Sequence, residues 1–147
     1  IGADCEAIRT APDFHRFRLT RDGKSEVLDV VTDRTPQLDQ EKALIGGVRV
    51  DTLRDIIANK LATLLSRAEM KDVVDLYFLE QAGHDLLAAI PDAREKDGGW
   101  EPAIVSMLLD TLNPDNISTL LIKSLSPEEL KEFLNRFRLA IADLALP

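Results

Sequence analysis

The sequence of 147 residues has one cysteine and two histidines, and each of these shortages excludes a structural feature. Because Cys5 is the single cysteine, the chain cannot form an internal disulfide. Proteins of the reducing cytoplasm usually lack disulfides. His15 and His84 are far apart in sequence, so a zinc site built on them is not expected. No apolar run approaches the roughly 18 residues of a membrane span, and the N-terminus lacks the basic and apolar regions of a signal peptide. These shortages predict a cytoplasmic protein without a membrane span.

Cations are scarce in the second half of the chain. The net charge is −8, and residues 76–147 hold 6 Lys and Arg against 12 Asp and Glu, whereas residues 1–75 hold 12 against 14. Phosphate contacts need clustered cations, so this balance argues against a broad nucleic-acid-binding platform. It leaves room only for a local basic patch in the first half.

The first fifty residues favour strands. Residues 14–19 (FHRFRL) alternate polar and apolar side chains, and residues 25–32 (SEVLDVVT) are rich in β-branched ones. The Asp22-Gly23 pair between them is a strong hairpin signal, so two antiparallel strands are expected. A further short strand is expected at residues 48–50 (VRV).

From Thr52 onward the apolar residues recur with helical spacing, and Thr52 followed by Asp55 resembles a capping box with Asp in place of the usual Glu. Ser126 is the expected N-cap of the last helix, with Glu129 completing a capping box. The predicted α+β fold is therefore a β-hairpin followed by a mostly α-helical bundle, with a sheet region at 1–50 and a helical domain at 51–147 that together form one compact unit. Helices are expected at about 53–66, 70–81, 85–90, 101–112, 115–125 and 126–146, with a polar loop at 92–99.

Four charged residues interrupt the apolar helical stretch at residues 55–79. Lys60 and Arg67, seven residues apart, fall inside the apolar arc of one helix, and Asp72 and Asp75 share one edge of the next. Isolated buried charges are costly, so such groups are normally paired or bind a ligand. Two interpretations follow: an inter-helix salt-bridge network, or a polar site in which Lys60 meets a phosphate and the carboxylates orient it.

Asp29 is a second unusual residue. It shares a strand face with Val27 and Val31, where an acid is unexpected. It is either a strand residue bonded to a loop or a metal-binding or catalytic carboxylate.

The order of these features resembles the nucleotidyltransferase AbiEii/AbiGii toxin family. The resemblance covers about residues 14–80 and includes the strand VLDVV and the stretch VDTLRDIIANKLATLLSRAEMKDVVDLYFL. It is specific at the K-L-x-x-L-x-x-R and K-D-x-x-D-L-Y-x-L elements. It implies a nucleotidyltransferase-type sheet, Mg²⁺-dependent transfer of a nucleotide from an NTP to an acceptor that is often an RNA, and a cognate antitoxin as partner.

The resemblance also implies roles for individual residues. Asp29 matches a metal-associated carboxylate of the central sheet, and Lys60 matches the helix lysine that serves the triphosphate. Asp72 and Asp75 fill the acidic motif that follows, with Asp72 as the catalytic partner. Arg67 matches an accessory contact to phosphate or acceptor.

One part of the family pattern is missing from the sequence. The family begins with a glycine turn followed by a D-x-D pair, and no such motif stands upstream of Asp29. The expectation is therefore the C-terminal portion of a nucleotidyltransferase, inactive by itself. The alternative function is a non-catalytic α-helical protein-interaction module, in which the charges at 60–75 are structural ion pairs.

Overall fold

The computed structural model describes residues 2–116 and 124–146. The chain divides into two compact units, Ile1–Thr35 and Pro36–Pro147, called below the sheet unit and the helical unit. The three-stranded antiparallel sheet of the first and the helices of the second confirm the α+β class.

The sheet unit is an antiparallel meander of three strands in the order β1-β2-β3. β2 and β3 are the two predicted strands, and Asp22 and Gly23 both have positive φ, as a two-residue hairpin turn requires. β1 was not predicted, because its sequence DCEAIRTA contains only two β-branched residues. The strands are β1 Asp4–Ala11, β2 Phe14–Arg21 and β3 Lys24–Val31.

The helical unit opens with a small hairpin. The strands β4 (Ala43–Ile45) and β5 (Val48–Val50) pair around Gly46 and Gly47, whose φ angles are 59° and 83°. Glycine adopts such angles without a steric penalty. The strand predicted at 48–50 is therefore confirmed.

Most of the helices begin and end close to their predicted bounds. Thr52 caps α1 by accepting a hydrogen bond from the backbone N–H of Asp55, and Ser126 and Glu129 form the predicted capping box of α5. The helices are α1 Leu53–Ser66, α2 Met70–Gln81, α3 Ile90–Lys96, α4 Pro102–Asp110 and α5 Pro127–Asp143.

The prediction was wrong around Pro91. A helix was expected at 85–90 and a loop at 92–99, but α3 runs from Ile90 to Lys96. Proline has no N–H to donate, which does no harm in the first turn of a helix, so Pro91 lies in the first turn of this helix instead of ending one. The helix predicted at 115–125 lies mostly outside the described residues, although Pro114–Asn116 forms a 3-10 turn.

One hydrophobic core fills the helical unit, where α1 packs against α2, α3 and α4, and α5 packs against α2 and α4. Trp100 is fully buried in it, and its indole N–H donates to the carbonyl of Leu61 at 2.9 Å. A buried tryptophan needs such a partner for its N–H, so this contact ties the loop after α3 to α1. No helix among the described residues has both the length and the apolar character needed to cross a membrane.

Candidate functional site

The four charged residues of the apolar stretch meet where α1 turns into α2. Lys60 Nζ lies 3.0 Å from Asp72 Oδ1 and 2.5 Å from Asp75 Oδ2. Arg67 donates two hydrogen bonds to the same Asp72, from Nε to Oδ2 at 3.0 Å and from Nη2 to Oδ1 at 3.1 Å. The structure therefore brings together all four residues that the sequence singled out in this stretch, and they are called below the corner network.

Burial differs sharply within the corner network. The Asp72 side chain is fully buried, whereas Lys60 keeps 26% of its side chain exposed, Arg67 43% and Asp75 50%. Asp72 is thus a buried carboxylate that pairs with two cations, both of which are partly exposed to solvent. Such an arrangement can hold two positive groups in fixed positions at a surface, which is what recognition of an anionic group requires.

The ion pairs keep Lys60 charged. Its partial burial lowers the pKa of its ammonium, but hydrogen bonds to Asp75 and Asp72 more than offset that effect and leave the pKa above its ordinary value. Lys60 is therefore a fixed positive charge at neutral pH and not a general base.

The corner between the helices is a strained turn. Ala68 has a φ of 38°, a left-handed conformation that costs an L-residue free energy. The backbone N–H groups of Arg67 and Ala68 both donate to the carbonyl of Thr63, at 3.0 and 3.3 Å. This turn reverses the chain so that Arg67, at the end of α1, faces Asp72 in the first turn of α2.

Replacing Ala68 by glycine should stabilise the protein by roughly 1 kcal/mol, because glycine adopts a positive φ without the steric penalty. Chemical denaturation would measure the change. Ala82 is a matched control at the end of α2, where φ is an ordinary −79°, so Ala82→Gly should be neutral or destabilising. A loss of stability in Ala68→Gly would contradict the strain assigned to this turn.

Asp29 belongs to the sheet unit and already has a partner. Its two carboxylate oxygens each accept a hydrogen bond of 2.7 Å from Arg16, on the neighbouring strand. The hydrogen bond to Arg16 holds the pKa of Asp29 below its usual value. An acid on an exposed strand is thus matched by a cross-strand cation, which is a common stabilising pair in sheets.

A second charged network, not predicted from the sequence, surrounds Asp55. This fully buried carboxylate accepts hydrogen bonds from Lys96 and from the backbone N–H groups of Leu38 and Asp39, the latter two at 3.0 and 3.2 Å. The Nζ atom of Lys42 lies 3.5 Å away. The sequence showed Asp55 only as a capping-box residue, and Lys96 lies 41 positions further along in a segment predicted as a loop.

Asp55 remains ionised despite its burial. Burial by itself would raise its pKa, but the hydrogen bonds from Lys96 and from the two backbone N–H groups outweigh it and hold the pKa far below the usual value. Lys96 also donates to the carbonyl of Pro36 at 2.6 Å. This network therefore ties the segment that begins the helical unit to α1 and α3, and it serves the fold.

The described residues do not fit a magnesium pair. Two-metal sites need several carboxylates around ions about 4 Å apart, and no group of three or more His, Cys, Asp or Glu residues in the described part of the chain is arranged to hold a metal. Asp29 is engaged by Arg16, and Asp72 by Lys60 and Arg67. A divalent cation bound by either aspartate would need further carboxylates.

The sequence matches the model of the family described as nucleotidyl transferase AbiEii toxin, type IV TA system, over residues 12–145. This protein is a member of that family, and the match extends the resemblance from about residues 14–80 to nearly the whole chain. Toxins of this class belong to toxin–antitoxin systems, so a cognate antitoxin is implied. No curated protein and no solved structure gives a significant match.

Proposed function

We propose that the corner network binds the triphosphate of an NTP in a nucleotidyltransferase reaction, with the nucleotide passing to an acceptor such as RNA. Lys60 and Arg67 are the phosphate-binding groups, Asp72 positions both of them, and Asp75 orients Lys60. The observation that supports this assignment is the contrast in burial: the anchoring carboxylate is hidden, whereas both cations reach solvent.

Nucleotidyl transfer depends chiefly on positioning and on cations that neutralise the charge on the phosphates. A lysine and an arginine fixed by one buried carboxylate supply two such cations without having to reorganise. Asp29 would hold a metal ion only if it exchanged Arg16 for the metal, and further carboxylate ligands would be needed.

A second function, a helical interaction module with structural ion pairs, is favoured by a different observation. Each charged group of the corner network has an oppositely charged partner, and no buried side-chain polar atom among the described residues lacks a hydrogen bond. Under this alternative the corner network contributes only to stability, and the chain binds a partner protein such as the antitoxin.

Thermal unfolding with and without each of the four NTPs distinguishes the two functions. A ligand present at a hundred times its Kd stabilises the native state by about 2.7 kcal/mol. We therefore expect at least one NTP to raise the midpoint of thermal unfolding of the wild-type protein. Lys60→Met should abolish that rise and should lower the midpoint without ligand only slightly, because Arg67 still neutralises Asp72.

Lys71→Met is the matched control. Lys71 lies on the next helix, keeps 63% of its side chain exposed and, among the described residues, forms its ion pair with Glu69, so the NTP effect should persist in this variant. A wild-type protein that no NTP stabilises, together with a large loss of stability in Lys60→Met, would support the interaction module and contradict the nucleotide site.

A further inference from the structure

Two arginines stand directly opposite each other in the sheet unit. Arg9 of β1 and Arg16 of β2 are register partners across the antiparallel pair. Their guanidinium carbons lie 5.7 and 5.5 Å from the centre of the Phe14 ring. Because side chains alternate along a strand, Phe14, Arg16 and Arg18 share one face of β2, and Arg9 joins them from β1.

This pairing is unfavourable for the sheet alone, because like charges directly opposite each other destabilise a strand pair. Asp29 compensates the charge of Arg16. In the described part of the chain, Arg9 forms no ion pair. A β-bulge shifts the register between Ala7 and Arg9, and bulges commonly re-aim side chains at functional positions. An anion between the two guanidinium groups would remove the repulsion.

The charge balance of the two units favours the sheet unit for such a ligand. Residues 1–35 hold 6 Lys and Arg against 7 Asp and Glu, whereas residues 36–147 hold 12 against 19. A polyanion is therefore repelled far less by the sheet unit than by the helical unit. Arg18 lies on the same face as Arg16 and pairs with its register partner Glu6 at 2.9 Å, and its side chain is 49% exposed.

We propose that Arg9, Phe14, Arg16 and Arg18 form a binding face for single-stranded nucleic acid. A phosphodiester bridges Arg9 and Arg16, and a neighbouring base stacks against a guanidinium plane or the aromatic ring, as in other single-strand binding surfaces. The strands are largely exposed, which suits an unpaired strand, because its bases are free to stack. Only the identification of this strand as the acceptor rests on the proposed function; binding itself does not.

Fluorescence anisotropy with a labelled oligouridylate of about 12 nucleotides, within the span of known single-strand sites, tests the proposal in the absence of NTP. At low salt the wild-type chain should bind the strand, and Arg9→Gln should weaken binding roughly fivefold or more. Loss of one phosphate contact should also reduce the salt slope of log K by about 0.7. A DNA strand of the same length reports whether the 2′-hydroxyl contributes.

Arg21→Gln is the matched control, because Arg21 is an exposed arginine on β2 that alternation places on the opposite face. It should bind within twofold of the wild-type chain. Equal weakening in both variants would mean that bulk charge alone drives binding, and would overturn the proposal. Failure of the wild-type chain to bind, or complete displacement of the strand by an equal concentration of inorganic phosphate, would overturn it as well.

The stability of Arg9→Gln without nucleic acid provides an independent readout. If Arg9 serves a ligand, its removal relieves the repulsion from Arg16 and leaves the thermal midpoint unchanged or raised. A lowered midpoint would assign Arg9 a structural role instead. Because this assay contains no NTP, a failed nucleotide site would leave its result untouched.

Discussion

Replacing Asp55 by asparagine is expected to destabilise the helical unit by about 3–5 kcal/mol, the usual cost of removing one member of a buried ion pair. The variant leaves Lys96 buried without a carboxylate and weakens the bonds from Leu38 and Asp39. Urea denaturation would measure the loss. Asp51→Asn is the control, since Asp51 also pairs with Lys42 but is 38% exposed, and it should cost under about 1 kcal/mol.

The same network predicts non-additivity. Lys96→Met alone leaves Asp55 with Lys42 and the two backbone donors, and combining it with Asp55→Asn removes both buried charges at once. The double variant should therefore be more stable than the sum of the two single losses indicates, by about 1–3 kcal/mol of coupling. Strict additivity would show that Asp55 and Lys96 do not stabilise each other.

The low pKa of Asp55 should also make the stability of the protein depend on pH. The folded pKa of Asp55 lies below its unfolded value, so the unfolded chain binds more protons as acid is added, and stability falls. Its contribution is complete above the unfolded pKa of about 4 and is lost as the pH falls towards the folded value. Between about pH 4 and pH 2 the stability of Asp55→Asn should therefore fall less steeply than that of the wild-type chain.

Asp72→Asn is the second substitution with a large expected effect. It removes the carboxylate that binds both Lys60 and Arg67. We expect the free energy of unfolding to fall by about 3 kcal/mol. This is the low end of the range for buried ion pairs, because both cations are partly exposed to solvent. Urea denaturation of this variant and of Asp75→Asn would test this expectation. Asp75 contacts the same lysine but is half exposed, so its replacement should cost under about 1 kcal/mol.

Equal losses in Asp72→Asn and Asp75→Asn would contradict the anchoring role of Asp72. The expected difference also bears on the site. Asp72 acts through Lys60 and Arg67, so its loss should reduce NTP binding together with stability, whereas Lys60→Met should reduce NTP binding with little effect on stability.

Local patterns predicted much of the helical unit. The caps at Thr52 and Ser126 and the apolar periodicity gave the start of α1 and α5 within a residue. The corner network was predictable because its four charges lie within 16 residues, on helices joined by a short turn. The strained φ of Ala68 had no local signal, since alanine normally favours the helix.

What the sequence could not predict depends on long-range contacts. Asp55 and Lys96 are 41 residues apart in the sequence. Pro91 was predicted to end a helix, so the helix that carries Lys96 was predicted as a loop. The opposition of Arg9 and Arg16 depends on β1, a strand without a strong β pattern, and on the bulge in it. Register across strands cannot be read from composition alone.

We propose that Lys60 and Arg67, held in place by Asp72, bind the phosphates of an NTP. Hydrogen exchange measured by mass spectrometry, with and without saturating NTP, tests it most directly. We expect slower exchange in peptides that contain the corner residues 67–69 and no change in peptides from α5. Protection confined to other parts of the chain, or no protection at any NTP concentration, would contradict it.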